Sequence, residues 1–352
     1  MNKYWSNGIE SLTPYEAGEQ QPDRDYVKLN TNENPYPPSP KVLAAIQESA
    51  NGSLRLYPDP ESNSVKQTIA DHYNLEKNNV FVGNGSDEVL AFSFLAFYQD
   101  KPDLVFPNIS YTFYPVYCRL FDISYTTFPL TGEFEIDVDK VPEQSGGIII
   151  ANPNAPTGTF LAIEKIEILL KRNPDAVILI DEAYIDFGGQ SCVSLINKYK
   201  NLLVVQTLSK SRSLAGMRIG FALGDADLIN GLNRVKNSFN AYPVDTLATA
   251  GAIEAIRDDD YFQQCRKAII ETRGWTVKEL EKLSFNVVSS MANFIFITHE
   301  QMAAKSLYHE LKNKGILVRY FDMPDIDNYL RVSIGTMEDM KIFIDTIGPI
   351  VE

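Results

Sequence analysis

The chain has 352 residues, 44% of them hydrophobic, which is enough to bury a large core spread over two domains. Its net charge of −14, from 46 acidic and 32 basic residues without a run of Lys/Arg, disfavours nucleic-acid backbones and anionic membrane surfaces as partners. Three scattered histidines (His72, His299, His309) and three scattered cysteines (Cys118, Cys192, Cys265) lack metal-ligand or disulfide spacing, and no apolar run resembles a membrane span or a secretory signal, so a cytoplasmic protein without a bound metal is expected.

The first 27 residues, with Pro14, Gly18 and Pro22 and no strong period, read as an arm packed on the smaller domain or on a second subunit. From residue 80 onward, short apolar runs end at polar or glycine-rich residues and are usually followed by helical periodicity, which is β/α alternation. The runs cover 79–82, 103–106, 147–150, 176–180, 201–205 and 219–222; helices are expected over 87–98 and over the amphipathic stretch 163–172. The expected fold class is α/β, with a large domain over 28–243 built on a mostly parallel sheet covered by helices. After Asn240-Ala-Tyr-Pro-Val-Asp245 the chain changes character. One long helical stretch to about Lys282, runs near 286–289, 292–297, 315–319 and 329–334, and a terminal helix give a smaller α+β domain over 244–352.

The chemistry-bearing residues cluster where these runs end. Gly83-Asn-Gly-Ser-Asp-Glu88 joins a run to a helix, so the amides of Gly85, Ser86 and Asp87 point at an anion. Tyr111 follows the second run and offers a flat face, and the third ends in the proline-punctuated loop Asn152-Pro-Asn-Ala-Pro-Thr-Gly158. Asp181-Glu-Ala-Tyr184 ends the fourth; Thr207-Leu-Ser-Lys210 ends the fifth, with Arg218 eight residues later. Read singly, Asp181 serves as well as a helix cap, Tyr111 as a packing residue and 152–158 as a plain turn. Open α/β sheets, however, bring their ligands to the carboxyl ends of the strands, where these groups would meet. There a lysine can form a Schiff base with an aldehyde, Ser209 and Arg218 can grip a phosphate, and a fixed carboxylate can stabilise a pyridinium. Together they suit pyridoxal 5′-phosphate.

In order along the chain stand Leu12-Thr-Pro-Tyr15 with Gly18-Glu-Gln20, Leu29-Asn-Thr-Asn-Glu-Asn-Pro35, Tyr57-Pro-Asp59, Gly83 to Glu88, Asp181 to Tyr184, Ser209-Lys210 with Arg218, and Leu330-Arg331-Val332. Over nearly its whole length the chain therefore resembles the fold-type-I pyridoxal-phosphate aminotransferases, and within them the histidinol-phosphate aminotransferase family. The resemblance implies that Lys210 is the Schiff-base lysine, Asp181 the pyridinium partner, Tyr184 a donor to the ring oxygen and Tyr111 the stacking ring. It places Ser86, Asp87, Thr207, Ser209 and Arg218 around the phosphate and has Tyr57 reach the cofactor of the neighbouring subunit, which makes the active unit a homodimer. The family commonly carries Asn-Pro-Thr-Gly in the proline loop; here Ala155 takes that asparagine's place, so either Asn154 substitutes or Tyr184 serves alone.

The implied reaction is a ping-pong transamination through the Lys210 Schiff base, linking histidinol phosphate and 2-oxoglutarate with imidazole-acetol phosphate and glutamate, a step of histidine biosynthesis. Arg331 is expected to bind the α-carboxylate, with Arg319, Tyr15 and Asn32 as candidates for the other end of the substrate. An aromatic amino-acid aminotransferase, a decarboxylase of a phosphorylated amino acid and a non-catalytic sensor are the alternatives.

Overall fold

The computed structural model of the protein describes residues 3–5, 8–15, 18–19, 26–143 and 145–351; Gln20 and Pro22, singled out in the arm, lie outside them. A short strand β1 (Val27–Lys28) precedes helices α1 (Pro40–Ser49) and α2 (Asn63–Tyr73). Next come β2 (Val80–Asn84), α3 (Gly85–Phe97), β3 (Leu104–Pro107), α4 (Tyr114–Leu120), β4 (Tyr125–Phe128), β5 (Gly147–Ala151) and α5 (Ile163–Arg172). The first half closes with β6 (Val177–Asp181), β7 (Leu202–Thr207), β8 (Ile219–Gly224) and α6 (Ala226–Phe239). Helices α7 (Thr246–Arg257) and α8 (Asp259–Lys282) lead into β9 (Phe285–Val288), β10 (Phe294–His299), α9 (Ala304–Asn313), β11 (Ile316–Leu317), β12 (Arg319–Tyr320), β13 (Leu330–Ser333) and α10 (Met337–Val351).

Seven strands form one sheet in the order β2-β8-β7-β6-β5-β3-β4, parallel except that β8 runs antiparallel to both neighbours. Period-two alternation divides its side chains. Ile148, Ile150, Ile178, Ile180, Leu202 and Val204 pack on the face covered by α2, α5 and α7, whereas Ile149, Leu179, Leu203 and Val205 pack on the face covered by α3, α4 and α6. Both faces are buried, which is why these strands read as continuous apolar runs. The same alternation turns Asp181 toward the α3/α4 face and Glu182 toward the other. A second, antiparallel sheet, β12-β13-β10-β9, packs with α8, α9 and α10 around a separate core that includes Ile295, Ile297, Leu307, Leu330 and Phe343. The architecture is thus a large, mostly parallel, helix-covered sheet with a smaller α+β unit.

Local chemistry explains where the elements depart from expectation. Helix α3 starts at Gly85 rather than Asp87: the Glu88 carboxylate accepts the N–H of Asn84 at 2.7 Å and caps the start, and Gly85 makes the turn into it at φ +78°. The long helical stretch divides at Asp258, whose backbone leaves helical geometry and whose carboxylate holds Lys41 at 2.7 Å. Strand β4 is an edge strand with three exposed residues in Tyr-Thr-Thr-Phe, so it has no apolar run to announce it. Both boundaries expected at 27/28 and 243/244 run through packed structure: β1 pairs in parallel with β11, and α7 lies on α1 and α2 with Ala248 and Ala252 in the large core. No helix among the described residues is long and apolar enough to cross a membrane.

Candidate active site

A cavity of about 260 Å³ opens where β5, β6 and β7 end, closed on its other sides by residues 30–32, the arm at Tyr15 and Gly18, and the small unit at Arg319, Phe321 and Arg331. Lys210 enters it from the loop after β7. Asn34 clamps that loop by donating to the carbonyls of Lys210 and Ser211 at 3.0 and 3.1 Å, while Lys210 Nζ donates to Thr31 O at 3.1 Å. The amine also lies 5.8 Å from the centre of the Tyr184 ring.

Asp181 reaches the cavity from the last position of β6 and is almost wholly buried. Burial pushes its carboxyl up to about 6, opposed by hydrogen bonds from Tyr114 Oη at 2.8 Å and from the Ala183 N–H at 3.2 Å. At the α3 end stand Ser86, Thr207, Ser209 and Arg218, all lining the cavity. Thr207 Oγ1 donates to Ser209 Oγ at 3.0 Å. Asp87 accepts from Arg218 at 2.9 Å and from Tyr111 Oη at 3.2 Å, so its carboxylate orients a cation and an aromatic ring. Two glycines shape this end: a Cβ on Gly85 would meet Arg218 at 2.6 Å, and one on Gly220 in β8 would sit 2.3 Å from Ser86 N. The cradle of amides, hydroxyls and guanidinium has a size set by the absence of those carbons.

Asn32, at φ +56°, donates to Tyr184 Oη at 3.1 Å; its own N–H is received by Ser333 Oγ at 2.8 Å, which donates back to Asn32 Oδ1 at 2.9 Å. Tyr15 stacks on Phe113 at 4.7 Å and forms part of the wall. Arg319 and Arg331 stand opposite each other in register on β12 and β13. Arg331 donates to Asn30 O at 2.9 Å, its Nε is buried without a partner among the described residues, and burial holds its pKa below the ordinary arginine value.

Two residues expected at this cavity, Gly85 and Asn154, do not line it, and Tyr57 is expected at the neighbouring subunit's cavity. Asn154 is 1% exposed and faces away: its Nδ2 donates to Ile109 O and Thr157 Oγ1, both at 3.0 Å, and its Oδ1 receives Ser110 Oγ at 3.1 Å. It braces the loop and has no free amide for a ring oxygen. Ala155 lines the cavity and packs with Ala292, Phe294 and Tyr184, so Tyr184 is the hydroxyl left at that position. Tyr57 is 82% exposed and stacks on Tyr242 at 4.6 Å, outside its own chain's cavity. Tyr114, Ser333, Gly220 and the Thr31 carbonyl escaped sequence reasoning, since each acts through a partner far away in the chain.

An amine, a fixed acid, an aromatic face and a cradle of hydroxyls with a cation answer the aldehyde, ring nitrogen, ring plane and phosphate of pyridoxal phosphate group for group. Comparisons agree with that reading. The family described as aminotransferase class I and II matches residues 24–347. The chain is 55% identical over 351 residues to a histidinol-phosphate aminotransferase of Clostridium botulinum, covering 100% of this chain and 99% of the relative. It is 54% identical to that of Clostridium beijerinckii, covering 99% and 97%. A structure of the Sinorhizobium meliloti histidinol-phosphate aminotransferase in complex with pyridoxal-5′-phosphate superposes with a TM-score of 0.89 at 21% identity, covering 99% and 98% of the two chains. One from Clostridium acetobutylicum gives 0.84 at 24% identity, covering 92% and 98%; at these identities the likeness speaks for the fold. The chain belongs to the class I and II aminotransferases, among the histidinol-phosphate aminotransferases.

Proposed function

We propose that the cavity holds pyridoxal 5′-phosphate and that the protein moves an amino group between histidinol phosphate and 2-oxoglutarate, yielding imidazole-acetol phosphate and L-glutamate or the reverse, as a step of histidine biosynthesis. The observation that carries the substrate class is the in-register pair Arg319 and Arg331, which line one cavity with Lys210 and Asp181: two guanidinium groups suit both carboxylates of glutamate and, in turn, the single phosphate of histidinol phosphate, which stands where the other substrate has a carboxylate. The 55% identity to a protein of that name supports the choice of substrate.

When bound, the cofactor supplies an aldehyde for the amino substrate and an electron sink for its Cα–H bond. Asp181 would pair with the ring nitrogen; Ser86, Thr207, Ser209 and Arg218 would hold the phosphate at the amino end of α3; Tyr111 would cover the ring; and Tyr184, which accepts from Asn32, would donate to the ring oxygen. The amine of Lys210, inside the cavity, would act as the general base that takes the Cα proton and later returns one. Arg331 would grip the α-carboxylate of glutamate by a two-pronged contact, and Arg319 with Tyr15 and Asn32 would grip the phosphate or imidazole end of histidinol phosphate. The arm contributes Tyr15 and Gly18 to the cavity wall.

The active unit in this proposal is a homodimer in which Tyr57 reaches the phosphate end of the partner's cavity. Support comes from the exposure of Leu56, Tyr57 and Phe239, three large apolar side chains that a second copy would cover. A cytoplasmic setting is part of the same reading, supported by three buried free thiols. The aromatic wall of Tyr15 and Tyr111, backed by Phe113, favours one second reading, an aromatic amino-acid substrate.

Glutamate release from 2-oxoglutarate, measured with histidinol phosphate or with phenylalanine as donor, separates the two. The expected result is a kcat/KM on the order of 10²-fold higher for histidinol phosphate, and a loss of about 10²–10⁴-fold or more in Lys210→Ala. Equal or better use of phenylalanine would move the function to aromatic transamination, and carbon dioxide release without glutamate would mean a decarboxylase.

A further inference from the structure

We propose that Tyr114 is a positioning residue for the cofactor: by donating to Asp181 Oδ2, its hydroxyl keeps on the ring nitrogen the proton that the ring and Asp181 share. The inference rests on the reading of the cavity as a pyridoxal-phosphate site. Tyr114 is fully buried at the start of α4, its ring fixed by Tyr111 edge-on at 5.5 Å, Phe106 at 5.8 Å and Phe94 at 6.4 Å. Its hydroxyl lies 2.8 Å from Asp181 Oδ2, and burial raises its own pKa well above the ordinary tyrosine value, so it stays a protonated donor. The other bond that Asp181 receives is the longer one from Ala183 N–H, 3.2 Å, to Oδ1.

A carboxylate beside a pyridine nitrogen shares one proton with it, in either of two arrangements with the same total charge. In one the acid keeps its O–H and the ring is neutral; in the other that O–H bond breaks, the N–H bond forms, and carboxylate faces pyridinium. Burial alone favours the neutral pair, and it raises the Asp181 carboxyl here, with nearby Asp87 adding to the same trend. Asp87 is itself paired with Arg218. A short hydrogen bond donated to the carboxylate reverses the preference, because it stabilises the charged oxygen and offers less to the acid. Only the pyridinium is a strong electron sink, so Tyr114 acts on the chemistry through Asp181 without touching substrate.

The test is the ¹⁵N shift of ring-labelled pyridoxal phosphate bound to the full-length protein, which separates pyridinium from pyridine and needs no turnover. Wild type is expected at the pyridinium position. Tyr114→Phe keeps the ring and removes only the O–H, and it should lower the ratio of protonated to neutral ring about tenfold or more. Tyr114→Met, whose flexible thioether fills the space without a donor, gives a second reading if the Phe variant loads poorly. Tyr98→Phe removes a buried hydroxyl that has no partner among the described residues and leaves the shift where it was. An unchanged shift in either Tyr114 variant with cofactor bound overturns the proposal, as does an equal shift in Tyr98→Phe. Absence of any bound signal in wild type would instead remove the cofactor reading beneath it.

Discussion

Arg331 enters the cavity with its NH2 held by Asn30 O, its Nε buried and unpartnered among the described residues, and its guanidinium carbon 5.4 and 5.5 Å from the ring centres of Phe294 and Phe321. A planar fork fixed in this way fits a carboxylate at two points, a geometry that a lysine lacks. Arg331→Ala should therefore lower kcat/KM for glutamate by about a hundredfold, from two charge-assisted bonds, and Arg331→Lys should recover little of it. Full activity in the lysine variant would refute the two-point contact. Just after β6, on the opposite side of the large sheet from Asp181, Glu182 accepts from Ser191, from the Cys192 N–H at 2.8 Å and from Gln206 at 2.8 Å. Burial nevertheless pushes its carboxyl from 4.5 up to about 7. A raised acid contributes stability in full below its unfolded pKa and loses it as the pH passes its folded pKa. Wild type should thus lose about 3 kcal/mol relative to Glu182→Gln as the pH rises from below 4.5 to above 7. Denaturant titrations of both proteins across that window check it, and a constant difference between them would disprove it.

At the level of elements, the phosphate end is made by β8 pressing on the first turn of α3. Gly220 pairs with Gly83 of β2 and Thr207 of β7, which leaves its α-carbon against Gly85 and Ser86. Gly220→Ala must push that turn away, so cofactor affinity should fall about tenfold or more and folding stability by about 1–3 kcal/mol. Gly216→Ala, with nothing within 4 Å of the new carbon, is the matched control. Equal cofactor affinity in the two variants would mean that the turn has room to move. The segment around Asn32 is a second such element. It belongs to no helix or strand, yet through Ser333 and Tyr184 it ties the small sheet to the large one across the cavity.

For the whole molecule, an exposed Tyr57 that serves a partner predicts complementation between two crippled chains. Mixed dimers of Lys210→Ala and Tyr57→Ala have one site lacking both groups and one site lacking neither. Statistical reassembly should then restore about a quarter of wild-type activity. Recovery no greater than the sum of the separate variants would confine Tyr57 to its own subunit. Much of this molecule was legible in the sequence. Lys210, Asp181 and Ser209 stand at or near the carboxyl ends of apolar runs, and a parallel sheet brings those ends to one crevice, so their meeting followed from the order of the runs, whereas Arg218 joins them because β8 runs antiparallel and starts there. Asn154 was the exception, because nothing in Asn152-Pro-Asn-Ala-Pro reveals that its amide is already engaged by Ile109, Thr157 and Ser110. Tyr114 was invisible for the same reason, being 67 residues from the Asp181 that gives it meaning, as Ser333 is 301 residues from Asn32. The sequence by itself determined the helical cover, the set of groups offered to a cofactor and all of the large sheet but its edge strand β4, since local periodicity and strand-end chemistry are properties of neighbouring residues. Which carboxylate is held by which hydroxyl, which amide is free and how close β8 comes to α3 were decided by the tertiary structure, because a hydrogen bond or a close approach depends on distance in space and not along the chain.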